Sequence, residues 1–294
     1  MNCIPRGKYR VRQPLIVIAL LMLIGLPAVL TTAQTRKQTV ILAVSSESGV
    51  GSIDALAVVA GKQLRSPYSD EQKDRQKTFA EEYFKKGTVY RLIFGGGDAG
   101  SATVNGWNEG CNNVHAQASI STSARLGGKV MALATNSDTL GKRSISRRPP
   151  TDAERAAAFT LMKSIYKQHR TPANLMSAIK VTNLTATDLN GDGKYELVGS
   201  FTLAAKNKFE RDLFLIATPQ GTGLRAEFAK FQAYQPPPEG FLSSIDFIDQ
   251  VDIDGDGVGE VFTTMGAFDG YALLAFKKVG GRWRQVHDQV GDLC

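Results

Sequence analysis

Two nine-residue stretches of the chain repeat one uncommon pattern. The first is Asp188-Leu189-Asn190-Gly191-Asp192-Gly193-Lys194-Tyr195-Glu196; the second is Asp252-Ile253-Asp254-Gly255-Asp256-Gly257-Val258-Gly259-Glu260. They start 64 residues apart (188 and 252). Both put oxygen-bearing side chains at positions 1, 3, 5 and 9, and glycine at positions 4 and 6. Glycine at 6 allows a sharp turn, and alternate side chains on a tightly turned loop converge on one point. The exits, Glu196-Leu197-Val198-Gly199-Ser200-Phe201 and Glu260-Val261-Phe262-Thr263-Thr264, are β-branched or aromatic and read as strands. This half of the chain is therefore built of strands joined by tight acidic loops.

Hard oxygen donors around such a turn suit Ca²⁺. The pattern predicts two calcium sites. One draws on Asp188, Asn190, Asp192 and Glu196 with the carbonyl of Lys194. The other draws on Asp252, Asp254, Asp256 and Glu260 with the carbonyl of Val258. The first set holds three carboxylates and an amide and the second four carboxylates, so the second is expected to bind more tightly. The alternative is a pair of solvated Asp/Gly turns. An EF-hand is excluded, because it needs a bidentate carboxylate at position 12 and a helix on each side. Position 12 is Gly199 in one loop and Thr263 in the other.

The form Asp-x-[Asp/Asn]-Gly-Asp-Gly-x-x-Glu-[Leu/Val] leading into a strand resembles the calcium loops of FG-GAP/VCBS repeats, found in integrin-α-like β-propellers. The resemblance covers about residues 180–290. It implies propeller-like blades, two of them visible here, with the loop bridging two strands of a blade and the metal usually structural. The Phe-Gly and Gly-Ala-Pro elements that name the family are not clear in this chain. A propeller closes with about four or more blades, so a closed ring requires further, degenerate blades from residues 36–148.

Elsewhere the chain is mostly short β runs separated by Gly, Asn and Pro, from 40–44 through 129–134 and again from 184–188 through 283–287. Two segments are predicted as helices. One spans 70–86, with Ser69 as cap, Gln72 three residues on, Gly87 as stop, and a narrow apolar stripe of Phe79, Ala80, Tyr83 and Phe84. The other follows Pro149-Pro150, opens on a Thr151/Glu154 capping box and ends before Pro172. The fold expected is mainly β with two α-helices; the alternative is a two-domain α+β arrangement. The expected divisions are a signal peptide at 1–33, a β-rich region with one helix at 34–148, and a helix plus the two loop repeats at 149–294. The stretch 139–150, with Arg143, Arg147 and Arg148, is expected to be a solvated linker.

The N-terminus sets the compartment. Arg6, Lys8, Arg10 and Arg12 precede an uncharged apolar run from Leu15 to Leu30, followed by Thr31-Thr32-Ala33. That is the layout of a secretory signal, and sixteen apolar residues fall short of the roughly 20 of a bilayer span. The alternative is an uncleaved anchor. Four of the 35 basic residues and none of the 28 acidic ones lie in 1–33, so +3 of the formal +7 remains beyond it. A charge this mild argues for no nucleic-acid partner. The signal layout predicts a protein that is secreted or in the cell envelope, off the membrane after cleavage, with an unknown extracellular protein or glycan as partner. Cys111 and Cys294 remain, and an even pair in an exported chain predicts a disulfide, with two free thiols as the alternative.

Catalytic motifs are weak. Gly95-Gly96-Gly97-Asp98-Ala99-Gly100 satisfies GxGxxG, but β-branched residues follow where a dinucleotide fold needs a helix, so it reads as a hairpin turn. Ser164-Ile165-Tyr166-Lys167 fits SxxK without its companion elements, and His115, His169 and His287 form no metal motif. Trp107 and Trp283 read as core. The protein is thus expected not to be an enzyme and to have a structural, adhesion or ligand-binding role. The alternative is an extracellular hydrolase or lyase on a polymer, with Glu109, Asp246 and Asp249 as its acid/base candidates.

Overall fold

In the computed structural model, Val40, Ile41, Leu42, Ala43 and Val44 are all fully buried. They form the centre of β1 (Thr39–Glu47), a strand covered on both faces. The structure describes residues 37–47, 50–68, 73–110, 113–205, 209–234, 244–266 and 270–293. Cys111, Cys294, Ser69, Gln72 and residues 1–33, on which several expectations rest, lie outside them.

The first sheet contains β1, β2 (Val50–Ala60), β3 (Gln63–Arg65), β4 (Val89–Phe94), β5 (Gly97–Glu109), β6 (Val114–Thr122) and β7 (Ala132–Thr135). Its order is β1-β7-β4-β5-β6-β2-β3, and β1 also pairs with β2. Six antiparallel strands therefore close into a barrel, with β3 added outside β2. Val40, Leu42 and Val44 alternate inward, meeting Leu92, Val104 and small residues such as Ala102, Ala116, Ala118 and Ala134. Small inward residues suit a narrow barrel, whose interior is filled by side chains. Helix α1 (Lys73–Tyr83) packs against β6 and brings Phe79, Ala80, Tyr83 and Phe84 into this core. The predicted stripe is thus the helix's packing face.

A second sheet has the order β12-β11-β10-β9-β8: β8 (Arg147–Arg148), β9 (Lys180–Thr187), β10 (Glu196–Ala205), β11 (Phe209–Gln220) and β12 (Gly223–Tyr234). A third is the four-stranded meander β13 (Ile245–Val251), β14 (Glu260–Gly266), β15 (Gly270–Val279) and β16 (Arg282–Leu293). Alternating side chains stack these sheets in layers. On one face of the third sheet, Ile248, Phe262, Leu273 and Ala275 meet Ile41, Ala43 and Ile93 of the barrel. On its other face, Val261, Leu274, Phe276 and Trp283 meet Val198, Phe214 and Ile216 of the second sheet. The far side of the second sheet carries α2 (Asp152–Gln168), through Ala158, Met162, Ile165 and Tyr166. The mainly β expectation holds, with a short 3-10 helix at Ala173–Ala178 besides the two α-helices. The strands at 39–135 close on themselves as a barrel and supply no further meander to a ring of blades.

The solvated-linker expectation for 139–150 is overturned. The Arg147 side chain is 3% exposed and pairs through Nη1 with Asp249 Oδ2 at 3.0 Å, a carboxylate with no exposure. Nη1 also donates to the Met131 and Ile248 carbonyls, and the guanidinium lies over the Phe94 and Phe247 rings at 4.6 and 4.7 Å. A β-bulge between Phe247 and Asp249 aims this carboxylate. It also accepts from Gly95 N and Gln250 N. Burial pushes its carboxyl group up, while Arg147 and the two N–H donors pull against that. Charge in a linker ordinarily favours solvation; here the cation is buried because a matching anion arrives from the third sheet.

The capping box of α2 forms as expected, with Glu154 N donating to Thr151 Oγ1 and Thr151 N to Glu154 Oε2. Arg148 adds a two-pronged ion pair to Glu154, at 2.7 and 2.8 Å. Its hydrogen bonds lead the causes that lower the Glu154 carboxyl to about 2.

Two outcomes are expected. Asp249→Ala leaves Arg147 buried and unpaired and costs about 3–5 kcal/mol in denaturant unfolding, and the double change Arg147→Met with Asp249→Leu recovers most of it. Glu154→Gln costs about 1 kcal/mol at neutral pH. Because the folded carboxyl lies below its ordinary 4.5, that stability is present above 4.5 and disappears as pH falls toward 2, where the two proteins converge.

Candidate metal centre

The two acidic loops occupy equivalent places. One joins β9 to β10 and the other joins β13 to β14, the first two strands of the meanders β9–β12 and β13–β16. Five of their internal hydrogen bonds match, and the first loop adds one from Asn190 N to Asp188 Oδ1 at 3.3 Å. At position 1, Oδ1 accepts from position 4, as Gly191 N to Asp188 at 2.7 Å and Gly255 N to Asp252 at 2.8 Å. The other oxygen accepts from position 6, as Gly193 N at 2.9 Å and Gly257 N at 3.1 Å. Position 3 accepts from position 5, position 5 from position 7, and the glutamate at 9 from the amide of position 2. Leu189 and Ile253, at position 2, are buried and anchor each loop. Gly193 and Gly257 sit at φ 80° and 90°, where side chains are strained. A Cβ at either would meet nothing within 4 Å, so backbone conformation alone demands glycine there.

The loops also touch. Gly259 N donates to the Leu189 carbonyl at 2.7 Å, and Gln250 Nε2 to the Asp188 carbonyl at 3.3 Å. Ser146 of the former linker accepts from Asp188 N. A Cβ on Gly259 would lie 1.8 Å from Gln250 Oε1, which explains glycine at that position in the second loop only.

Their electrostatics differ. In the first loop, Asp188 is half-buried, Asn190 and Asp192 are exposed, and Glu196 is buried. Burial pushes the Glu196 carboxyl up, and the charges of Asp192 and Asp188 push the same way. Among the described residues no Lys or Arg pairs with any of the three carboxylates, and Lys194 extends into solvent. In the second loop, carboxylate oxygens of Asp252, Asp254 and Glu260 lie within 4.8 Å of one another, a group able to hold a cation. Protein cations already reach that group. Lys277 Nζ is 2.6 Å from Asp254 Oδ2 and 3.0 Å from Glu260 Oε1, and Arg143 Nη2 is 3.1 Å from Asp252 Oδ2. Burial lowers Lys277, yet its bonds to Asp254 and Glu260 outweigh this and raise it above an ordinary lysine. A cleft of about 430 Å³, lined in part by Lys62, Leu64, Ile253, Glu260 and Lys277, opens onto these groups.

The remaining candidates resolve simply. Gly95 and Gly96 are the turn of the β4–β5 hairpin, as read from the sequence. Ser164 and Lys167 face solvent on α2. His287 bonds to the Leu56 carbonyl and His169 stacks on Phe231. Trp283 is core. Of the acid/base candidates, Asp249 is enclosed by Arg147 and Asp246 pairs with Lys129 at 2.8 Å, while Glu109 ends β5. Sequence reasoning missed Lys277 and Thr218, since cross-strand partners are visible only once the register is known. The chain matches no family model, no curated protein and no solved structure.

Gly193→Ala is expected to cost about 1–2 kcal/mol by thermal or denaturant unfolding, and Gly193→Asn less, because asparagine tolerates this backbone region better. Equal losses for the two would mean that side-chain crowding, and not the backbone, sets the demand for glycine.

Proposed function

We propose that the protein is an exported β-repeat protein that uses calcium to fasten the strand connections of its C-terminal meanders. The observation that carries this reading is the matching hydrogen-bond network of the two acidic loops, set at equivalent positions in two successive four-stranded meanders. Such duplication preserves a metal-loop geometry that a solvated turn does not require. We read β9–β12 and β13–β16 as two blades of FG-GAP/VCBS type, packed face to face beside a barrel.

The donor chemistry of the first loop fits calcium. Asp188, Asn190, Asp192 and Glu196, with the Lys194 carbonyl, would hold the ion through hard oxygens. A bound ion supplies positive charge where three carboxylates otherwise repel one another. The chain's own residues do the rest: backbone amides orient the carboxylates, Leu189 roots the loop in the core between the sheets, and Glu196 ties the loop's start to β10. The role is structural, adhesive or ligand-binding toward an extracellular protein or glycan, with no catalytic part assigned.

A ligand that binds only the folded state at a hundred times its dissociation constant stabilises by about 2.7 kcal/mol. Thermal melting after thorough chelation is therefore expected to fall by several degrees, with recovery on adding Ca²⁺ and no recovery in Asp188→Asn. Melting that ignores both chelator and calcium removes the calcium reading.

A further inference from the structure

We infer that Lys277 is the resident cation of the Asp252 loop, so that the chain carries one exchangeable divalent site, at the Asp188 loop. This rests on the calcium reading above and reverses the order of affinity expected from carboxylate number.

The two meanders provide an internal comparison. One step beyond the strand pairs Leu197–Ala217 and Val261–Phe276, the residue facing the loop's final glutamate is Thr218 in the first meander and Lys277 in the second. Both address the same atom. Thr218 Oγ1 lies 3.4 Å from Glu196 Oε1, and Lys277 Nζ lies 3.0 Å from Glu260 Oε1. The change is matched across the loop: position 3 is the neutral Asn190 opposite threonine and the anionic Asp254 opposite lysine, whose Nζ bridges to it at 2.6 Å. The additional carboxylate of the second loop is thus the lysine's counter-ion and adds nothing to the charge open to a metal. Arg143 on Asp252 lowers that charge further. Calcium would need to lie about 2.3–2.6 Å from the same oxygens. That puts a divalent ion and an ammonium within a few ångströms of each other in a partly desolvated site, where they exclude one another.

Equilibrium dialysis of the purified protein against radioactive Ca²⁺ tests this, with circular dichroism confirming that each variant folds. Wild type is expected to bind one ion per chain. The double variant Asp254→Asn with Lys277→Thr, which copies the first loop's pair into the second, is expected to bind two, as is Lys277→Gln. Two ions on the wild type, or one on both variants, would overturn the lysine's role while leaving the calcium reading intact. No ion on wild type but one on the double variant would uphold the lysine's role and remove calcium from the Asp188 loop. No ion on any of them would overturn both.

Discussion

The ion pair of Arg147 with Asp249 links all three sheets at one buried point. A buried charge pair is costly to desolvate and stands only when its remaining donors and acceptors are satisfied. Here the carboxylate takes N–H groups from Gly95 and Gln250, and the guanidinium lies between two aromatic faces. The groups involved come from the barrel's β4–β5 turn, from β8 at the edge of the second sheet, and from β13 of the third. The glycine-rich turn follows from this arrangement. A Cβ on Gly95 would lie 2.5 Å from Arg147 N, and one on Gly97 2.6 Å from the Arg143 carbonyl. The sequence that mimics a phosphate-binding loop is bare so that the 143–147 segment can run against it.

That segment also sets the acidic loops in place. Ser146 bonds to Gly95 on one side and to the backbone of Asp188 on the other, while Arg143 reaches Asp252 and the Leu189 carbonyl. The loops are therefore attached to a buried polar framework at their roots and turn outward only at positions 3 to 7. Their carboxylates are oriented by amides before any cation is considered, which is the preorganisation that a metal loop needs.

What could be read in the sequence was local. Glycines at positions 4 and 6, the capping box of α2, the stripe of α1 and the turn at Gly95-Gly96 follow from chemistry within a few residues. The barrel did not, because closure depends on pairings such as β1 with β7 and β2 with β6, far apart along the chain. The burial of Arg147 is illegible in the sequence for the same reason: its anion lies 102 residues away. Carboxylate number alone ranks the second loop above the first, whereas Lys277, on the neighbouring strand and outside the motif, already pairs with two of those carboxylates.

The account predicts two loops of one geometry with two kinds of cation, a bound calcium in the first and a lysine ammonium in the second. The most direct measurement is anomalous diffraction from crystals grown in calcium. A single calcium peak among Asp188, Asn190, Asp192 and Glu196, with Lys277 still bridging Asp254 and Glu260, is the predicted result. A peak at the Asp252 loop with Lys277 displaced, or no peak at either loop, would contradict it.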